Sequence, residues 1–233
     1  MPSVVSELTR GFVGLFYPNI CACCSNGLMH GEMHICSHCL YELPETGFYK
    51  EKDNQVAQIF WGRAEVENAT AQYFFKKGNR IQRLMHQMKY QGQKQIGEVL
   101  GKRMGEKLER SCFNNIDVVV PVPLHPKKMS KRGYNQSEWI ARGVGASMNK
   151  PMDAKTLIRH SATNTQTRKK RYERWENVAS GFGLSDPESL AGKHVLLIDD
   201  VITTGATLEA CIHTILCSPE SKVSVAALAF ASI

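Results

Sequence analysis

At 233 residues and 42% hydrophobic content, the chain is long enough to bury a real core, which excludes disorder as the overall reading. No apolar run approaches the roughly 18 residues that a membrane-crossing helix needs, so no membrane span is expected. The formal charge of +7 and the pI near 9.0 suit an anionic partner, a polyphosphate or a nucleic acid, without choosing between them.

Residues 1–17 carry Val4, Val5, Leu8, Phe12, Val13, Leu15 and Phe16 at helical spacing, which predicts an amphipathic helix packed on the body of the protein. The segment has neither the basic start nor the small-residue cleavage site of a secretory signal. Residues 18–48 form the next unit. Cys21-x-x-Cys24 and Cys36-x-x-Cys39, eleven residues apart, have the spacing that brings four thiolates to one zinc ion. No coordination position would stay open, so the metal's role is structural. Gly27 and Gly31 suit a tight connection between the pairs, in a segment too short and polar to make its own core, and metal would supply the missing folding energy. Cys23, His34 and His38 crowd the same region, so other ligand sets and a redox dithiol stay open. Cys112, Cys211 and Cys217 sit among apolar or helical neighbours and read as packing residues. Thiolate metal spacing and the missing signal together predict a reducing, cytoplasmic location.

The remaining domain is assigned to residues 60–233. Ala69 to Phe75 reads as a strand and Lys77-Gly78-Asn79 as a turn. Ile81, Leu84, Met85 and Met88 then give one helical face, which Gly92 interrupts before a second helix from Gln95 to Glu109. Asp117 to Val120 is a buried strand, and Pro121, Pro123 and Pro126 are expected to forbid regular structure just beyond it. Gln136 to Met148 reads as a helix offering Trp139, Ile140 and Val144 to the core, and Leu157 to His160 as a short strand. Ser161 to Arg171 is polar, basic and poor in apolar anchors, so it is expected to be mobile without a ligand.

Val195 to Ile198 is a continuous aliphatic run, suited to a central parallel strand covered on both faces. Asp199 and Asp200 follow where such a strand ends, the edge at which open α/β sheets place ligands. Thr203, Thr204, Gly205, Ala206 and Thr207 then lead into a helix whose free N–H groups and dipole favour a phosphate. Val223 to Phe230 supplies a last strand. Strands alternating with helices predict an α/β fold, a parallel-rich sheet flanked by helices, with a small N-terminal zinc-binding module.

Four apolar residues, two acids, two apolar residues and a Thr/Gly-rich turn over Val195 to Thr207 resemble the phosphoribosyl pyrophosphate (PRPP) signature of type I phosphoribosyltransferases. The resemblance implies that Asp199 and Asp200 hold the ribose hydroxyls, that Thr203 to Thr207 cradle the 5′-phosphate, and that magnesium accompanies PRPP. It also implies a pyrophosphate loop after the Asp117 strand, with Leu124, His125 and Arg132 as candidates, and a basic flap from which Arg168 joins the two aspartates as a catalytic candidate. The loop departs from the usual short Gly- or Lys-centred form. The turn carries Val201 and Ile202 and then threonine where purine-salvage enzymes of that class often place an acid, so no general base is evident.

The double C-x-x-C module, Leu43-Pro44, Met88-Lys-Tyr-Gln-Gly92, Pro121-Val-Pro-Leu-His125, Lys131-Arg-Gly-Tyr-Asn-Gln136 and Thr165-Gln166, together with the PRPP signature, resemble the ComF family of bacterial proteins over nearly the whole chain. That family is linked to natural competence and to DNA utilisation. The resemblance implies a protein that binds PRPP or a related ribose phosphate and transfers the phosphoribosyl group to a nitrogen acceptor. The alternative is a non-catalytic accessory of DNA uptake that meets single-stranded DNA and competence proteins, with Tyr134, Tyr172 and Trp175 as stacking candidates.

Overall fold

A computed structural model describes residues 19–160 and 181–231. The expected helix at 1–17 and the basic stretch with Arg168, Tyr172 and Trp175 lie outside the described residues. In chain order the elements are α1 (Ser37–Tyr41), α2 (Gln55–Gln58), β1 (Ala69–Phe74), α3 (Arg80–Tyr90), α4 (Gln95–Leu108), β2 (Val118–Pro121), α5 (Pro126–Arg132), α6 (Gln136–Met148), β3 (Leu157–Arg159), β4 (Phe182–Leu184), β5 (His194–Ile202), α7 (Ala206–Ile215) and β6 (Lys222–Phe230).

Four strands form one sheet in the order β1-β6-β5-β2, and every pairing in it is parallel. The aliphatic run of β5 lies inside that sheet, with Val195 to Ile198 fully buried. Successive side chains point to opposite faces, so Leu196 and Ile198 join one core while Val195 and Leu197 join the other. The first core is completed by α3, α4 and α6, and by the cysteine segment; the second by α7 and by Val56, Ala57 and Phe60 of the stretch around α2. A strand covered on both faces has no polar side to show, which is why the sequence here is continuous rather than alternating. This is the parallel-rich α/β architecture that the alternation of strands and helices predicts.

Three local expectations are corrected. Regular structure does not stop at the prolines: Pro121 is the last residue of β2, and Pro126 opens the helix α5. Pro121 is tolerated because β2 lies at the edge of the sheet, and Pro126 because the first turn of a helix leaves its N–H groups without intrahelical partners. The acidic pair does not terminate its strand either, since β5 continues through Val201 and Ile202, paired with Ala229 and Phe230 of β6. Of the cysteines read as packing residues, Cys211 is buried in the second core, whereas Cys112 is exposed.

Helices α4 and α6 approach each other through glycines. A β-carbon on Gly101 would lie 2.2 Å from the Ile140 carbonyl oxygen, and one on Gly143 2.2 Å from the Glu98 carbonyl oxygen. Both obstacles are backbone and cannot rotate away. Alanine at position 101 would gain about 1 kcal/mol of helix propensity, but separating the two helices costs about 1–3 kcal/mol or more. Gly101→Ala is therefore expected to destabilise the protein by about 2 kcal/mol in urea unfolding. A gain in stability would contradict this packing.

Candidate functional site

Asp199 and the run from Val201 to Leu208 line one concave surface beside the end of β5 and the start of α7. Gly205 makes the turn possible. Its φ of 75° is a left-handed value that favours glycine, and a β-carbon there would meet Ile59 Cγ2 at 2.6 Å. As the N-cap of α7 it contributes no side-chain cap, so the first-turn N–H groups are left to a ligand or to water. Thr203, Thr204, Ala206 and Thr207 are exposed around them. Arg63 fixes the turn from outside: its guanidinium donates to the Thr204 carbonyl at 2.9 Å and pairs with Glu209 of α7.

The two aspartates have different surroundings. Asp199 Oδ1 accepts from the Ser137 hydroxyl at 3.0 Å and from the Asp200 N–H at 2.8 Å. Burial, reinforced by the adjacent Asp200 charge, pushes the Asp199 carboxyl up to about 7, with the Asp200 N–H, Ser137 and Lys89 opposing the rise. Asp200 Oδ2 instead pairs with Lys89 Nζ at 2.8 Å. Ser137 comes from the first turn of α6, held by its N-cap Asn135, which accepts from the Ser137 N–H and donates to the Val122 carbonyl. Lys89 comes from the last turn of α3, where the Tyr134 hydroxyl donates to the Met88 carbonyl.

The loop that carries the predicted pyrophosphate residues leaves the neighbouring strand, and the Val122 N–H still donates to the Ile198 carbonyl at 2.8 Å. Leu124 and His125 are half-buried; His125 Nδ1 accepts from the Lys127 N–H at 3.2 Å and so caps α5. Arg132 donates to Gln136 Oε1 at 2.7 Å and lies 5.6 Å over the Tyr90 ring. Arg168 lies outside the described residues.

The cysteine pairs converge. One thiol sulfur from each of Cys21, Cys24, Cys36 and Cys39 lies within 4.8 Å of the others, a set compatible with a structural metal ion. Although burial opposes ionisation of Cys21, the backbone N–H groups of Cys36, Cys24 and Cys23 draw its thiol down to about 7. The Cys36 N–H reaches the Cys21 sulfur at 3.3 Å and the Cys39 N–H reaches the Cys36 sulfur at 3.4 Å. Such donors orient sulfur ligands and favour the charged form. Cys23, though buried, is not in the set.

Sequence reasoning assigns no role to Lys89, Ser137 or Arg63. Lys89 lies inside the Met88 to Gly92 run and Ser137 directly after the Lys131 to Gln136 run, so a signal exists for both. Arg63 acts across 141 positions of sequence and has no local signature.

Residues 129–231 match the family model of the phosphoribosyl transferase domain. With the parallel sheet and the cysteine cluster, the match defines a phosphoribosyltransferase-like domain joined to a four-cysteine module. A DNA utilization protein of Salmonella typhimurium, YhgH, is 29% identical over 61% of this chain and 63% of its own length. Competence protein F of Haemophilus influenzae is 31% identical over 40% of this chain and 41% of its own, and competence protein ComFC of Bacillus subtilis 32% identical over 42% and 38%. The chain thus aligns with less than two thirds of the length of these curated relatives. The chain is similar to these competence and DNA-utilization proteins, and its four-cysteine cluster and phosphoribosyl transferase match support the resemblance to the ComF family.

Proposed function

We propose that the protein binds PRPP, or a closely related ribose phosphate, across Asp199 to Thr207. The observation that carries this reading is one concave surface shared by Asp199 and an adjoining turn whose uncapped N–H groups and exposed threonines lie beside it, with Asp200 the next residue of β5. Carboxylates accept from vicinal ribose hydroxyls, and a helix N-terminus with hydroxyl side chains accepts a phosphate. Magnesium arriving with PRPP supplies neutralisation of the diphosphate charge. The residues of the chain then position the ribose and shield its reacting carbon from water. In a transfer to a nitrogen nucleophile, the bond from the anomeric carbon to diphosphate oxygen breaks as the bond to nitrogen forms. The negative charge of the aspartate pair, near the ribose, would stabilise the developing oxocarbenium. Leu124, His125, Arg132 and Arg168 are the residues we assign to the diphosphate. The four cysteines are proposed to hold zinc, which would fasten the N-terminal segment to the sheet domain.

Calorimetry with metal-replete protein, PRPP and Mg²⁺ tests the reading. Binding is expected, weakened about a hundredfold or more in Asp199→Asn/Asp200→Asn, the loss of two charge-assisted contacts. No heat of binding by the unaltered chain would overturn it.

A second reading, DNA handling in uptake or utilisation, is favoured by one surface feature. The half-buried Trp139 ring has two cations near it, Lys94 at 4.7 Å and Arg142 at 4.6 Å, and Tyr90, 60% exposed, has Arg132 at 5.6 Å from its ring. Cations beside an exposed aromatic face such as that of Tyr90 suit single-stranded nucleic acid. Tyr134 is instead engaged through its hydroxyl with Met88. A filter-binding titration that shows no affinity for single-stranded DNA at low salt would exclude direct DNA binding.

A further inference from the structure

Lys89 is the side chain at the site for which neither the signature nor the turn accounts. Its ammonium group lies 2.8 Å from Asp200 Oδ2, with only 22% of the lysine side chain and 18% of the aspartate side chain exposed. A surface ion pair of this kind contributes little, but this one sits beside a second carboxylate already buried against Ser137. Without Lys89, two carboxylates on consecutive residues of β5 would have no cation in contact among the described residues. The lysine is also placed rather than adventitious. It is in the last turn of α3, with the Met88 carbonyl before it bonded by Tyr134 and the Tyr90 ring after it covered by Arg132. At the other end of the same helix, Arg80 pairs with Glu42, next to the cysteine cluster.

We propose that Lys89 is a displaceable internal counter-ion, which occupies Asp200 in the ligand-free protein and is handed to an anionic group of the ligand when ribose hydroxyls take over the carboxylates. An ammonium group has three donors and no acceptor, so once released it finds partners among diphosphate oxygens rather than ribose hydroxyls. The same residue thus neutralises the empty site and discriminates for ligands that bring both hydroxyl donors and negative charge. Its role as counter-ion stands independently; the handover rests on the ribose-phosphate reading.

The test measures two affinities on folded, metal-replete protein. Mn²⁺ alone, followed by paramagnetic resonance, is expected to bind Lys89→Met about tenfold more tightly than the unaltered chain, because a positive charge has left the carboxylates. Lys89→Arg, which restores the charge, returns Mn²⁺ affinity toward the original. Calorimetry with Mg²⁺ and PRPP is expected to show Lys89→Met about tenfold weaker, a change opposite in direction. Mn²⁺ affinity that is unchanged, or undetectable in every variant, overturns the counter-ion. Tighter or unchanged PRPP binding by Lys89→Met overturns the handover. Absence of PRPP binding by the unaltered chain overturns both the handover and the functional reading, while the Mn²⁺ comparison still decides the counter-ion.

Discussion

At pH 8 the Asp199→Asn variant is expected to be more stable than the unaltered chain by on the order of 2 kcal/mol, although it removes a residue assigned to ligand binding. The cause is the position of Asp199 between a buried strand and a second carboxylate, which raises its carboxyl from 3.8 to about 7. For an acid raised on folding, the folded state holds a proton that the unfolded state has released. Stability is therefore lost as pH climbs from about 4 towards 7 and is lowest above 7. Asparagine keeps an oxygen that can accept from the Ser137 hydroxyl and the Asp200 N–H, and it carries no charge to bury. The shift alone would imply a larger gain, but Asp199 is only half-buried as a residue, so solvent reduces it. Urea unfolding at pH 5.5 and pH 8 checks the sign: the advantage of the variant should shrink by about half at the lower pH. A variant less stable than the parent at pH 8 would show that the charge is already compensated in the free protein. A ligand that donates hydrogen bonds to Asp199 would draw the same carboxyl downward, so the stability withheld in the empty site contributes to affinity.

How much of the molecule is legible in its sequence depends on whether the chemistry is contiguous. Val195 to Thr207 read as one site because strand, acids and turn follow one another without a break, and the structure lines one concave surface with their C-terminal part. The cysteine set is legible because two C-x-x-C turns fix their own geometry, so only their convergence needs the fold. Helix α5 escapes for a different reason: proline reads as a breaker, whereas at the first helical position it costs nothing. The runs around Lys89 and Ser137 mark the two segments, but the pairing of Lys89 with Asp200 and of Ser137 with Asp199 depends on where α3 and α6 dock on the sheet, a tertiary fact that neither run states. Gly101 and Gly143 belong to the same class, since neither sits at a turn and their need for close approach exists only between helices. The strand β4 escapes because three residues, Phe182 to Leu184, carry no measurable periodicity; their pairing with β3 defines them.

Removal of the zinc proposed for the four cysteines is expected to loosen far more than the cysteine segment. Cys21, Cys23, Ile35, Cys36, Cys39 and Leu43 are buried in the same core as Tyr73, Ile81, Leu84 and Met88, so the segment is a wall of the sheet domain and not an appendage. Four thiols brought within 4.8 Å of one another crowd sulfur around Cys21, whose ionisation the surrounding N–H groups favour, and a bound cation would offset that charge. A structural zinc site contributes on the order of 10 kcal/mol of binding free energy to folding at neutral pH, which exceeds the net stability of many domains. The first helix to feel its loss would be α3, whose Arg80 pairs with Glu42 just beyond Cys39. Chelation is therefore expected to lower the Tm by about 10 °C or more and to replace one cooperative transition with a broad one, followed by circular dichroism. Two substitutions assign the ligands: Cys21→Ser should lose most of its bound zinc and unfold like the chelated protein, whereas Cys23→Ser, outside the four-sulfur set, should keep about one equivalent. A full equivalent of zinc in Cys21→Ser would contradict the ligand set and with it the reason α3 should respond to the metal.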